Sequence, residues 1–101
     1  MTAASQNCDG KRILVVDDMP FCRETIAEIL RREGFNVLCA CDGVEALGML
    51  KKEPVDGLLL DVMMPRMDGL TLLNSLRRDP RWSRLPVILL TDVAEKEKIR
   101  L

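Results

Sequence analysis

Three aspartates and a threonine stand where a small chain can most easily offer chemistry. Asp17-Asp18 closes the apolar run Ile13-Leu14-Val15-Val16, Asp61 closes Leu58-Leu59-Leu60, and Thr91 follows Val87-Ile88-Leu89-Leu90. Short apolar runs bounded by polar or turn-forming residues read as buried strands. In an open parallel sheet, ligands enter the crevice beyond the carboxyl ends of the strands, so side chains at those tips are presented to them. Asp61 alone could equally cap its own turn. A second strand ending in a pair of acids is hard to explain in that way. Carboxylates held close repel one another, and at neutral pH they must share a proton or gather a cation. An oxygen-only donor set with room for water suits Mg²⁺ better than Zn²⁺ or a full Ca²⁺ cage.

Such a site is suited to phosphoryl transfer, which needs a positioned nucleophile, a metal to neutralise the equatorial oxygens and donors aimed at them. Asp61 is the candidate nucleophile, Asp17 and Asp18 the metal holders, and the Thr91 hydroxyl a donor to the phosphoryl oxygens. A dianion arriving on Asp61 would draw Thr91 inward and leave a gap behind the fourth strand. One local charge change would then bias a two-state element.

The elements that must position these groups are legible in order. After an expected tail over 1–10, a domain over 11–101 begins with a strand at Ile13–Val16. A helix follows, with Pro20 in its first turn, Ile26, Ile29 and Leu30 as its inward stripe and Gly34 as its stop. Arg23, Glu24, Glu28, Arg31 and Arg32 read as its solvated side. Asn36–Ala40 is the second strand and Asp42-Gly43 the turn after it. The next helix runs from Gly43 to Lys52, with Val44, Leu47 and Leu50 inward and Pro54 beyond it. The strand tipped by Asp61 comes next. Met63, Met64 and Met67 belong to the connection that follows, as packing against the sheet edge. A helix over Leu70–Arg78 has Leu70, Leu73 and Leu76 inward. Trp82 reads as a lid over its end. Pro86–Leu90 is the fourth strand, and a short charged helix is expected over Val93–Arg100. Strands alternating with such helices predict right-handed βαβ units and a parallel sheet. No Gly-x-Gly-x-x-Gly turn follows the first strand, which argues against a dinucleotide fold.

Composition narrows the function classes. The 101 residues suit one domain that buries roughly two thirds of the surface of its unfolded chain. With 15 basic and 16 acidic residues the net charge is −1, so no global field recruits nucleic acid or an anionic membrane. Neither a signal-peptide pattern nor an apolar run of the ~18 residues a span needs is visible, and a cytoplasmic location is expected. Cys8, Cys22, Cys39 and Cys41 read as small core residues of a reducing compartment, because there is no histidine and no C-x-x-C pair to make a metal site.

Val15-Val16-Asp17-Asp18, Leu60-Asp61-Val62-Met63-Met64-Pro65 with Asp68-Gly69, and Val87-Ile88-Leu89-Leu90-Thr91 together resemble the receiver domain of two-component response regulators. The resemblance covers nearly the whole chain, from about Arg12 to Ile99. It implies an α/β, flavodoxin-like, doubly wound parallel sheet, here truncated to four strands in the order 2-1-3-4. It also implies Asp61 as phosphoacceptor, Thr91 as switch hydroxyl, and Asp17, Asp18, Asp61 and the main-chain carbonyl of Met63 as ligands of Mg²⁺. The implied phosphodonor is a histidine kinase or phosphotransfer protein. The domain would be a phosphoacceptor rather than an enzyme, with no direct contact to nucleic acid or membrane.

The family pattern continues beyond this chain with a fifth strand, which carries a lysine for the phosphoryl group, and a fifth helix. Roughly 25 residues would be needed for them. Without them the fourth strand is an open edge, so the chain is expected either to be a fragment of a longer protein or to cover that edge as a homodimer, as an element-swapped oligomer or with a bound partner. Asp92 is a second departure, since the family prefers a small residue there. The alternative reading is a pseudo-receiver that keeps the scaffold as a dimerisation or protein-interaction module. A phosphohydrolase is disfavoured because Met63 stands where a general acid would be needed.

Overall fold

A computed structural model describes residues 10–62, 64 and 68–90. Its elements are β1 (Arg12–Val16), α1 (Pro20–Arg32), β2 (Asn36–Ala40), α2 (Gly43–Lys52), β3 (Gly57–Asp61), α3 (Gly69–Arg77) and β4 (Val87–Leu90). The four strands form one parallel sheet in the order β2-β1-β3-β4, the expected doubly wound, flavodoxin-like arrangement. The reversal of direction falls between β1 and β3. The acid-tipped strands are therefore central neighbours, and the crevice of such a sheet lies over them.

Register divides the side chains between two faces. Leu14, Leu58 and Val87 are aligned, as are Val15, Leu59 and Ile88 one residue on, and successive strand residues point to opposite sides. On the first side Leu14, Val16, Leu58, Leu60 and Ala40 meet Ala46 and Leu50 of α2, Leu72 and Leu76 of α3, and Met64. On the other side α1 packs on β1 and β2, with Ala27 fully buried. Among the described elements β4 pairs with β3 alone, and Ile88 and Leu89 remain 60% and 41% exposed.

The helix ends have local causes. At the end of α1, Gly34 has φ +98°, its N–H donates to the Arg31 carbonyl at 3.1 Å, and the Phe35 N–H donates to Leu30 at 3.1 Å. This pair of bonds closes the orphan carbonyls of a helix whose terminator must be left-handed. Asp42 caps α2 by accepting the Glu45 N–H at 2.8 Å, while the Glu45 carboxylate accepts the Cys41 N–H at 2.7 Å. Asp68 caps α3 by accepting the Thr71 N–H at 2.8 Å. Each cap contributes about 1 kcal/mol.

Several expected inward positions are corrected. Leu50 and Leu76 are buried and Leu47 and Leu73 pack against the core as expected, but Ile29 is 55%, Val44 50% and Leu70 50% exposed, and the other buried helix residues are Ala27 in α1, Gly43 and Ala46 in α2, and Gly69 and Leu72 in α3. The small residues turn inward because they let a helix axis approach the sheet, and the larger side chains then straddle the contact. Cys22 and Cys41 are exposed and Cys39 is half-buried, so these are not core residues. The second strand ends at Ala40, which leaves Cys41 on the bend before α2. Burial, then Glu24, pushes the Cys39 thiol above its ordinary range. Trp82 packs against the core under the Arg81 guanidinium, 4.2 Å from its ring centroid. The tail over 1–9, Cys8, Met67 and the expected helix over 93–100 lie outside the described residues.

Candidate functional site

Asp17 is the first residue beyond β1, and three groups clamp it. Its N–H donates to the Ala40 carbonyl of β2 at 3.1 Å, which carries the β1–β2 pairing one step past the strand. Its Oδ1 accepts the Met19 N–H at 2.9 Å, turning the chain toward α1. Its main-chain carbonyl accepts a bond at 2.9 Å from Nη1 of Arg23, one turn into α1. Arg23, expected on the solvated side of the helix, is instead half-buried over this turn. Periodicity counted it as one charge among several, so nothing in the sequence singled it out.

Asp61 is the last residue of β3, opposite Leu90 of β4. Beyond it the Val62 N–H donates to the Leu90 carbonyl at 3.1 Å, and the Val62 carbonyl accepts the Gly69 N–H at 3.0 Å. The turn that leaves the strand is thus tied to both β4 and the start of α3. Gly69 is buried, and a Cβ there would collide with the Asp61 carbonyl oxygen and stand 2.9 Å from the Cα of Val62. Both obstacles are backbone and cannot swing aside. In the sequence Gly69 looked like an ordinary turn residue; its contact with Asp61 is set by the chain doubling back.

The carboxylates of Asp17, Asp18 and Asp61 converge, each contributing an oxygen within 4.8 Å of the others. Asp17 and Asp61 are only 6% exposed, and Asp18 is half-buried. Two like charges about 4 Å apart repel by about 4 kcal/mol in surroundings of effective dielectric constant near 20. Hard oxygen donors at this spacing fit a divalent cation, and this is the chemistry Mg²⁺ requires. Thr91, Met63 and Asp92 lie outside the described residues. Thr91 directly follows Leu90, whose carbonyl holds the Val62 N–H.

A four-stranded doubly wound sheet with three acids gathered at the ends of its central strands has the architecture of a receiver domain, and known proteins share it. The family model described as the response regulator receiver domain matches residues 13–100, and the chain belongs to that family. It is 48% identical over 80 residues to the response regulator MprA of Mycobacterium avium and to that of Mycobacterium tuberculosis. The match takes in 79% of this chain and 34% of either relative, so the chain spans about a third of their length. Among solved structures, Vibrio cholerae chemotaxis protein CheY4 superposes with a TM-score of 0.76 at 28% identity, over 90% of this chain and 78% of that one. The N-terminal domain of a response regulator receiver protein from Methanoculleus marisnigri gives 0.77 at 35% identity, over 88% and 76%. The chain is therefore a signalling domain. No helix among the described residues is long and apolar enough to cross a membrane.

Proposed function

We propose that this receiver takes a phosphoryl group onto Asp61 from a histidine kinase or a histidine phosphotransfer protein of the cytoplasm. The observation that carries the reading is the convergence of Asp17, Asp18 and Asp61 within 4.8 Å. An Asp61 carboxylate oxygen forms the new bond to phosphorus, while the bond from phosphorus to the donor's imidazole nitrogen breaks and its electron pair returns to the ring. Mg²⁺, held by Asp17, Asp18, Asp61 and the Met63 carbonyl, would neutralise the phosphoryl oxygens and the repulsion among the carboxylates. The close approach of Gly69 to the Asp61 main chain, with the Gly69 N–H bonded to the Val62 carbonyl, would hold the nucleophile's main chain still during attack. The Thr91 hydroxyl donates to a phosphoryl oxygen once the group has arrived, and its inward swing repacks β4.

Intact mass after incubation with Mg²⁺ and acetyl phosphate tests the reading, with Asp61→Asn as control. A gain of one phosphoryl group, absent in the variant, is expected. A folded, Mg²⁺-binding protein with no gain would transfer support to the second reading, a pseudo-receiver that works by association. That reading is favoured by one observation, the exposure of Ile88 at 60% and Leu89 at 41% on an apolar strand paired on one side among the described residues. Unpaired apolar edges invite a further strand. The second reading expects a homodimer or element-swapped oligomer by light scattering, lost on Ile88→Lys.

A further inference from the structure

We infer that Arg23 is a positioning residue for the cation at the acidic site, an inference that rests on the metal-binding reading above. Asp17 has three clamps, and two of them are main-chain groups, the Ala40 carbonyl and the Met19 N–H. The bond from Arg23 Nη1 to the Asp17 carbonyl is the one supplied by a side chain. It joins the helix to the turn that aims both Asp17 and Asp18. A guanidinium is planar, permanently charged and well suited to hold a carbonyl at a fixed angle. Half-buried, it loses less of this bond to competing water than an exposed arginine would.

The sign of the effect separates positioning from simple electrostatics. Arg23 places a positive charge on the element that borders the three carboxylates, so by Coulomb's law its removal should tighten binding of a cation. If Arg23 holds the turn in its ligating shape, its removal should weaken binding, because Asp17 and Asp18 must be ordered again when the ion enters. A hydrogen bond from a charged donor corresponds to about tenfold in an equilibrium constant, and part of that loss would reach the metal. The other charged residues of α1 are Glu24, next to Arg23, and Glu28, Arg31 and Arg32 further along; Arg32 pairs with Glu28 at 2.6 Å, and Arg31 lies about two turns beyond Arg23.

The test is calorimetric titration of the full chain with Mg²⁺ in Arg23→Gln, Arg23→Lys and, as a control of equal charge change, Arg31→Gln. Thermal unfolding in EDTA is measured on each. The expected result is Mg²⁺ affinity weakened about three- to tenfold in Arg23→Gln, largely recovered in Arg23→Lys and unchanged in Arg31→Gln. The weakening should persist in salt, since geometry is not screened. Equal or tighter binding by Arg23→Gln overturns the inference, as does a lysine variant no better than the glutamine one. A native chain that binds no Mg²⁺ overturns the metal-site reading itself, and the inference with it, and is told apart because the failure is in the unsubstituted protein. If Arg23→Gln is unfolded in EDTA, its affinity and that of the native chain are both read in about 1 M trimethylamine N-oxide, which favours the folded state, and equal or tighter binding by the variant there overturns the inference.

Discussion

The α carbon of Gly69 lies against the main chain of Asp61, so close that a Cβ would collide with the Asp61 carbonyl oxygen. The start of α3 is pressed onto the residue proposed to accept the phosphoryl group, and the Gly69 N–H to Val62 carbonyl bond of 3.0 Å keeps it there. Gly69→Ala must therefore push the Asp61–Val62 turn or lift the end of the helix. We expect a loss of about 1–3 kcal/mol in urea unfolding, the usual cost of forcing atoms into a packed site. We also expect weaker Mg²⁺ binding than in the parent. Unchanged stability and affinity would mean that the turn can yield without cost.

Asp18 is the most exposed of the three carboxylates and the cleanest to neutralise, since Asp17 also accepts the Met19 N–H. Asp18→Asn removes one of three mutually repelling charges. In EDTA the variant should melt at a higher temperature than the native chain, and in Mg²⁺ at a lower one. The native chain should gain about 2.7 kcal/mol at a hundredfold excess of Mg²⁺ over its dissociation constant, and EDTA should abolish the gain. Scanning calorimetry under the two conditions reads both signs.

The inward phase of α3 can be tested with two leucines on the same helix. Leu72 is fully buried, whereas Leu70 is 50% exposed. Leu72→Ala should cost about 3 kcal/mol, and Leu70→Ala should stay within about 0.5 kcal/mol. Similar losses at both positions would return Leu70 to the inward stripe that Leu73 and Leu76 already occupy.

Far from the acids, hydrogen bonds from the Arg81 side chain and main chain hold the Asp79 carboxyl down to about 2, from an ordinary 3.8. A carboxyl lowered by folding contributes stability that is present above the unfolded value and lost as pH falls through the folded one. The stability gap between the native chain and Asp79→Asn should thus be constant above about pH 5 and close between about pH 4 and pH 2. The pair is solvent-exposed, so salt at about 1 M should narrow the gap throughout. Denaturant titrations across this range check the sign. A gap that widens on acidification would contradict it.

Strand identity and the three acidic tips were legible in the sequence because each depends on a short local pattern, whereas the strand order came only with the resemblance to receiver domains. A run such as Leu58-Leu59-Leu60 is apolar on both sides, which suits a central parallel strand, and the acid after it falls at the carboxyl end whatever packs above. The helix faces were not legible to the residue. In α1, α2 and α3 two neighbouring phases of the apolar pattern look alike, and the one that wins brings Ala27, Ala46 or Gly69 to the sheet so that the helix can sit close. Chain order likewise could not reveal that Arg23 reaches back to the Asp17 carbonyl or that Gly69 touches Asp61. Those contacts exist only when the βα connections fold back over the strand ends. Local sequence thus determined which groups arrive at the site, and tertiary packing decided what holds them there, since close approach between separate elements is a property of the assembled layers.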